Sequence, residues 1–338
     1  MFEGKKILIT GGTGSLGQAL TKKLLANNVD TVRIYSRNEN KQVRMEEDLN
    51  DERLRFLIGD IRDLPRLETA IEGIDIVFHA AALKHVPVIE YNPFEAIKTN
   101  IYGTQNVIDA SLKNNVETAV GIGTDKAVSP LNTYGATKLL AEKLFVTAMN
   151  YTDKAKHRTK FLALRYGNVL GSSGSVVPKF IKQIQSKKKI TITDPKMTRY
   201  SLTMDEALEF VLNSTKSSKG SEIFVPKLRA YGIMELKQAL VELLGETEEE
   251  IISIRPGEKL HEYLINEDEV RYTWELNGKM MIFSPNLKDE IIVKMYPGIK
   301  KLDSTKPYSS EFAEKMSINE LKDTLQKTVL ANSNDYEF

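Results

Sequence analysis

Tyr134 and Lys138 stand four residues apart in Tyr134-Gly135-Ala136-Thr137-Lys138, which opens a helical pattern and puts both side chains on one face. A phenol with an ordinary pKa of about 10 is a poor base at neutral pH. An ammonium beside it stabilises the phenolate, and such a tyrosine can take a proton from a hydroxyl as a hydride leaves the same carbon. Alone, the pair is as well explained by chance on a helix surface. Its weight comes from the run upstream, Gly123-Thr124-Asp125-Lys126-Ala127, which ends an apolar strand and is joined to it by a short loop. The chain supplies a control in Thr152-Asp153-Lys154-Ala155. That copy lies in a charged stretch with no strand before it and no Tyr-x-x-x-Lys after it, and reads as solvated surface.

A second group of residues suits a phosphate. Gly11-Gly12-Thr13-Gly14-Ser15-Leu16-Gly17 follows the first apolar strand and precedes the helical periodicity Leu16, Leu20, Leu24. Glycines there permit a tight turn and close backbone approach, and the free N–H groups of a helix start attract a pyrophosphate. An ordinary strand-to-helix turn uses the same residues; placement at the first βα turn favours a dinucleotide. The second strand ends in Tyr35-Ser36-Arg37-Asn38-Glu39-Asn40-Lys41, where an NAD site carries a carboxylate for the ribose hydroxyl. A hydroxyl and cations stand here instead, so Ser36, Arg37 and Lys41 point to a 2′-phosphate and to NADP over NAD. The alternative is a solvent-facing basic turn. Asp60, with Ile61 beside it, ends the third strand in position to accept from an adenine amino group. Ala80, Ala81 and Ala82 end the fourth, where small residues let the chain pass close to a cofactor or simply pack strand on helix. The positive nicotinamide ring of such a cofactor would add to the charge beside Tyr134.

The elements that must position these groups are legible as a rhythm. Lys6–Thr10, Thr31–Tyr35, Leu54–Ile58, Ile74–Phe78, Thr118–Ile122 and Phe161–Leu164 are apolar runs, most of them separated by helical patterns. Strands apolar on both sides and alternating with helices imply a parallel sheet covered on both faces. The expected fold is therefore α/β, a Rossmann-like doubly wound parallel sheet over residues 1–167, to which some later segments return. Residues 168–338 make mainly a smaller mixed α/β substrate-binding lobe, marked by turns such as Gly171-Ser172-Ser173-Gly174-Ser175, Thr193-Asp194-Pro195 and Arg255-Pro256-Gly257. Ser317-Ile318-Asn319-Glu320 reads as a capping box opening a helix to about Leu330, with the last eight residues frayed. There is no internal repeat and no low-complexity linker.

Composition removes several classes. The 338 residues include no Cys, so there is no disulfide, thiol nucleophile or thiolate metal site, and no metal site is expected. The formal charge of +1 carries no footprint for nucleic acid or an anionic membrane, and Lys187-Lys188-Lys189 reads as solvated surface. No secretory leader opens the chain and no apolar run is long enough to span a bilayer, so a cytoplasmic protein is expected.

Taken together, the motifs resemble those of extended short-chain dehydrogenase/reductases, and within them the inverting UDP-N-acetylglucosamine 4,6-dehydratases of the kind that begins pseudaminic acid biosynthesis. The resemblance runs from about Lys5 to Glu262. Besides the segments above, it rests on Lys84-His85-Val86-Pro87, Lys98-Thr99-Asn100, Arg165-Tyr166-Gly167-Asn168-Val169, Gly174-Ser175-Val176-Val177-Pro178, Met197-Thr198-Arg199 and Arg255 to Glu262. It implies that Thr124, Tyr134 and Lys138 form the redox triad and that Asn100 borders the cofactor. Retaining sugar dehydratases carry Asp-Glu where this chain has Asp125-Lys126, and Asp-Lys resembles the inverting group, some of whose capsule enzymes have Met at the tyrosine position. Lys126 then removes the C5 proton, made neutral by burial and nearby cations, while a protonated Asp125 serves the departing C6 hydroxyl. Asn168, Val176, Thr193, Met197, Arg199, Arg255 and Glu258 are implied UDP-sugar contacts, with Lys84 and His85 bordering the sugar. Gly123 stands where Ser is expected and is read as relaxing the packing beside the nicotinamide. Relatives associate through helices of the nucleotide domain, which implies a homo-oligomer, and the large membrane domain of bigger relatives is absent. A UDP-sugar 4-epimerase or ketoreductase needs Tyr134 and Lys138 but has no use for Asp125-Lys126, and a non-catalytic NADP sensor needs none of them.

Overall fold

Aliphatic runs without polar alternation must be covered on both sides, and the chain does this by winding helices over both faces of one sheet. The computed structural model describes residues 1–150, 152–153, 155–172, 174–255 and 257–331. Lys154 of the charged control, Ser173, Pro256 and residues 332–338 of the expected frayed end lie outside the described residues.

Six strands come from the first half of the chain: β1 (Lys6–Thr10), β2 (Thr31–Ser36), β3 (Leu54–Ile58), β4 (Ile76–His79), β5 (Thr118–Ile122) and β6 (Lys160–Leu164). Four more come from later segments: β7 (Ile223–Pro226), β8 (Thr273–Leu276), β9 (Lys279–Ile282) and β10 (Lys300–Lys301). They join in one sheet of order β10-β8-β9-β7-β6-β5-β4-β1-β2-β3. From β7 to β3 every neighbouring pair is parallel, and β9, β8 and β10 extend the sheet antiparallel. The fold is Rossmann-like and doubly wound. β4 begins two residues later than the sequence suggested, because Gly73 takes a left-handed turn and the Ile74 amide closes the preceding helix onto the Ile71 carbonyl at 3.0 Å.

Alternation within each strand splits the core in two. Ile7, Ile9 and Ile34 pack on one face with Leu20 and Leu24 of the helix Ser15–Leu25, while Leu8, Val77 and Phe161 pack on the other with Val107 and Phe145. A third core, built on Leu170, Phe180, Ile190, Leu236 and Leu321, holds the smaller lobe together. There the helix Ile233–Leu244 lies against the helices Val176–Gln185 and Ile318–Leu325. The capping box at Ser317 and Glu320 forms, and the helix it opens continues through a π-helical stretch to Leu330. Among the described residues no helix is long and apolar enough to cross a membrane.

The sheet's strand order reverses between β1 and β4. A crevice opens beyond the carboxyl ends of strands at such a point and is the usual ligand position in open α/β sheets. Gly11 follows β1 and Ala80 follows β4, so the candidate residues lie around it.

Candidate active site

After β5 the chain makes a single 3₁₀ turn, Asp125–Ala127, capped by Thr124, whose hydroxyl accepts from the Lys126 amide at 3.4 Å. The helix Thr133–Thr147 follows, capped by Asn132 through the Gly135 amide at 2.8 Å. Its buried face carries Tyr134, Lys138, Ala141, Glu142 and Phe145. The turn and this helix pack together, which brings the two halves of the sequence motif into one site.

At its centre is an ion pair. Lys126 Nζ donates to Asp125 Oδ1 at 3.1 Å and to Asn168 Oδ1 at 3.0 Å, and the Thr124 hydroxyl donates to the same Asp125 oxygen at 2.9 Å. Asp125 is buried. Burial alone would strip Lys126 of its charge, but Asp125, Glu262 and Tyr134 outweigh it and hold the lysine pKa above its ordinary value. This corrects the expectation that nearby cations neutralise Lys126. The phenol of Tyr134 differs from expectation as well. Burial pushes its pKa up, the ammonium that pulls it down is Lys126, Asp125 opposes that pull, and the Thr124 hydroxyl assists it. Lys138 donates to the Ile122 carbonyl at 2.6 Å, and burial drives its pKa down to about 8 against the attraction of Glu142.

Gly123 does not relax its surroundings. A Cβ there would meet the Leu164 carbonyl oxygen at 2.3 Å, so glycine lets β5 close tightly on β6 just before the turn Asp125–Ala127.

The ends of β1 and β4 are built for close approach. Gly11 has φ +68°, and a Cβ on it would lie 2.8 Å from the Ala81 backbone, so the ends of β1 and β4 meet there only because residue 11 is glycine. The helix Ser15–Leu25 starts without a side-chain cap or an acidic residue in its first turn, with Gly14 at its N-cap. Its opening N–H groups are the donors that a pyrophosphate seeks. Thr13 donates to the Ser36 hydroxyl at 3.2 Å and Gln42 donates to it at 3.0 Å, so Ser36 is bonded inward. Arg37 and Lys41 are exposed at the mouth. Asp60 is bound by Arg62 at 2.7 Å and lies 3.8 Å from Arg37. Ile61 is buried against Gly103. Asn100, within a π-helical stretch Ile97–Tyr102, spends its amide on Leu83 N and O and on the Thr137 hydroxyl, tying the loop after β4 to the catalytic helix.

Of the residues expected at the sugar, Asn168 reaches the Lys126 ammonium. Lys84 is exposed, yet desolvation of its ammonium together with Lys126 and Lys41 lowers its pKa. His85 Cε1 lies near Gly174. Val176 opens the helix Val176–Gln185. Thr193 donates to the sulfur of buried Met197 at 3.1 Å. Arg199 turns inward: it donates to the carbonyls of Thr198, Lys259 and Leu260, and faces Glu258 at 3.7 Å and Glu262 at 3.6 Å. Arg255 is exposed near Lys179.

Two groups in this neighbourhood carried no role in the sequence reading. His79 is buried between the Thr10 and Thr104 hydroxyls at 2.8 and 3.0 Å and stacks on Phe145. Burial, then Lys138, push its pKa down to about 3, so it is a neutral prop. Glu262 is buried close enough to act electrostatically on both Asp125 and Lys126. Its only signal in the sequence was membership of the Arg255–Glu262 run.

A family model described as polysaccharide biosynthesis protein matches residues 7–284. A UDP-N-acetylglucosamine 4,6-dehydratase (inverting) of Campylobacter jejuni is 49% identical over 290 residues, covering 85% of each chain. A UDP-glucose 4-epimerase of Rickettsia felis is 38% identical over 330 residues, covering 96% of each. Among solved structures, Pen from Bacillus thuringiensis matches with a TM-score of 0.88 at 38% identity, covering 97% of this chain and 98% of that one.

Proposed function

The chain belongs to the polysaccharide biosynthesis protein family, and from that premise we propose that it is a UDP-N-acetylglucosamine 4,6-dehydratase that inverts C5. The observation that carries this reading is the ion pair of Lys126 with buried Asp125 beside Tyr134. An epimerase moves a hydride at C4 alone and needs no second acid and base. The more identical relative, at 49% against 38%, is also the dehydratase.

The uncapped helix start after Gly11 and the close Gly11–Ala81 approach suit a dinucleotide, with Thr13, Gly14, Ser15, Leu16 and Gly17 around its phosphates. Arg37 and Lys41, exposed at the mouth, favour NADP over NAD. The chemistry supplied by a bound nicotinamide cofactor is storage of a hydride, taken from C4 and given back at C6.

The protein's own residues move the protons. Tyr134 takes the proton of the C4 hydroxyl through its phenol oxygen, with Thr124 and Lys138 orienting the ring's end of the site. The 4-keto group then acidifies C5–H. Lys126 is charged at rest, yet its hydrogen bond to Asp125 offers a short route to the working state. One proton passing from Nζ to Oδ1 converts the ion pair into a neutral amine and a carboxylic acid without changing net charge, and closing the site over a substrate favours that form. The amine removes the C5 proton, and the acid protonates the C6 hydroxyl as it leaves as water; return of a proton to C5 from the opposite face, once C6 has been reduced, gives the inverted 4-keto-6-deoxy sugar. Asn168 keeps Lys126 aimed.

We place the enzyme in the cytoplasm as a homo-oligomer, supplying a 4-keto-6-deoxy sugar to a surface glycan or to pseudaminic acid. NMR of the purified protein with UDP-N-acetylglucosamine and catalytic NADP+ in deuterated water tests the reading. A 6-methyl, 4-keto product with deuterium and inverted configuration at C5 is expected. Retained configuration overturns inversion, and an unchanged C6 overturns the dehydratase in favour of the epimerase or a sensor.

A further inference from the structure

We propose that Glu262 is a positioning residue of this site: its carboxylate, set against the Asp125–Lys126 pair, governs how readily Lys126 sheds the proton it must lose to act as base. The inference rests on the reading of Lys126 as the C5 base.

The segment ending at Glu262 is strapped across the catalytic turn. Gly257 O accepts from Asn132 at 2.9 Å, Lys259 Nζ donates to Val128 O, and the carbonyls of Lys259 and Leu260 each accept from Arg199 at 3.1 Å. Glu262 itself is pinned by its backbone, its amide donating to Ser310 Oγ at 2.9 Å and its carbonyl accepting from Ser310 N at 2.8 Å. The strand that follows, Tyr263–Ile265, packs on the Asp125–Ala127 turn.

A carboxylate buried for structural reasons is normally fully bonded. Glu142 shows this nearby, with both oxygens accepting from Arg165. Glu262 is different. Its side chain is 7% exposed, Oε1 lies 3.6 Å from Arg199 Nε, and Oε2 is buried with no hydrogen-bond partner. What fixes its state is therefore the charge around it. Burial and then Asp125 raise its pKa, while Lys126, Arg199 and Lys259 lower it, and the phenols of Tyr200 and Tyr231 face it as well. Seen from Lys126, Glu262 is the strongest anionic influence after Asp125, ahead of Tyr134, with Lys84 and Lys259 as the opposing cations. While ionised, Glu262 holds the ammonium; once neutral, it releases the proton toward Asp125.

The test is the kcat–pH profile of dehydration, followed by NMR of the product, with KM and melting temperature measured alongside. Its acidic limb reports the step that leaves the Asp125–Lys126 pair with the single shared proton of the working state, and a nearby anion holds that step at higher pH. In Glu262→Gln that limb moves about one pH unit toward acid, with KM within about twofold of wild type. Glu262→Asp keeps the charge but withdraws it by one methylene, and its limb falls between the two. An unmoved limb in Glu262→Gln, with or without a change in KM, overturns the proposal. If Glu262→Gln fails to fold, an unmoved limb in Glu262→Asp overturns it instead. Wild type that forms no 4-keto-6-deoxy product overturns the dehydratase reading and this inference with it, whereas a product-forming wild type with unmoved limbs overturns the inference alone.

Discussion

Lys138 has no carboxylate in hydrogen-bond contact and reaches from the helix Thr133–Thr147 to the Ile122 carbonyl, so burial brings its pKa down to about 8; Lys126, partly exposed, is held charged by Asp125 and Glu262. Two lysines driven apart in this way are suited to different tasks in one site. Burying Lys138 has a cost that pH reveals. Its folded pKa lies below the ordinary 10.5, so between pH 8 and 10.5 the unfolded chain binds more protons and stability rises with pH through that window. Replacing Lys138 by Met removes the penalty. The stability of wild type relative to Lys138→Met should therefore climb by about 3 kcal/mol between pH 7 and 10.5, read by urea melts, while the variant loses roughly 10²-fold or more in kcat. The types and spacing of Thr124, Asp125, Lys126, Tyr134 and Lys138 were legible in the sequence because their chemistry is carried by residue identity. The charge state of Lys126 was not, because it depends in part on Glu262, more than 120 residues away in the chain.

The elements that carry these groups meet at a contact where size matters more than polarity. A Cβ at Gly135 would lie 2.3 Å from the Lys126 carbonyl oxygen and 2.9 Å from Pro130 Cβ, so the start of the helix Thr133–Thr147 reaches the catalytic turn only through glycine. Gly135→Ala should push the turn and helix apart by a fraction of an ångström. A tenfold to hundredfold drop in kcat is expected, with melting temperature lowered by only a few degrees, and steady-state kinetics beside calorimetry would check it. Strands β1 to β6, the glycine turn and the Ser317 capping box were legible because each is written in a local pattern. The π-helical stretch Ile97–Tyr102 was not, since its register answers to Asn100 reaching Leu83 and Thr137. Nor was the inward turn of Arg199, whose partners are backbone carbonyls that no side-chain motif encodes.

Across the whole molecule, Arg165 joins the ten-stranded sheet to the later segments that pack on it. It is fully buried at the end of β6, donates to Glu142 of the catalytic helix and to Glu269 at 2.8 and 2.9 Å, and also donates to the Leu264 carbonyl at 2.9 Å. Removing the cation leaves Glu142 buried without its counter-ion, and Arg165→Met should cost about 3–5 kcal/mol of stability by chemical denaturation. The fold class could be read from the rhythm of the first 165 residues, but β7 could not, because it is short and its neighbours β6 and β9 are far away in sequence, whereas β8 and β9 form a hairpin about Asn277-Gly278, a local signal that the sequence reading passed over. That arrangement bears on how the protein comes off the ribosome. When residue 167 has emerged, β6 is a fully apolar edge, Phe161-Leu162-Ala163-Leu164, and the strand that covers it begins only at Ile223. For the time needed to synthesise some fifty further residues the nascent sheet presents an open, sticky border, the kind of exposure on which chaperones act and from which aggregation starts.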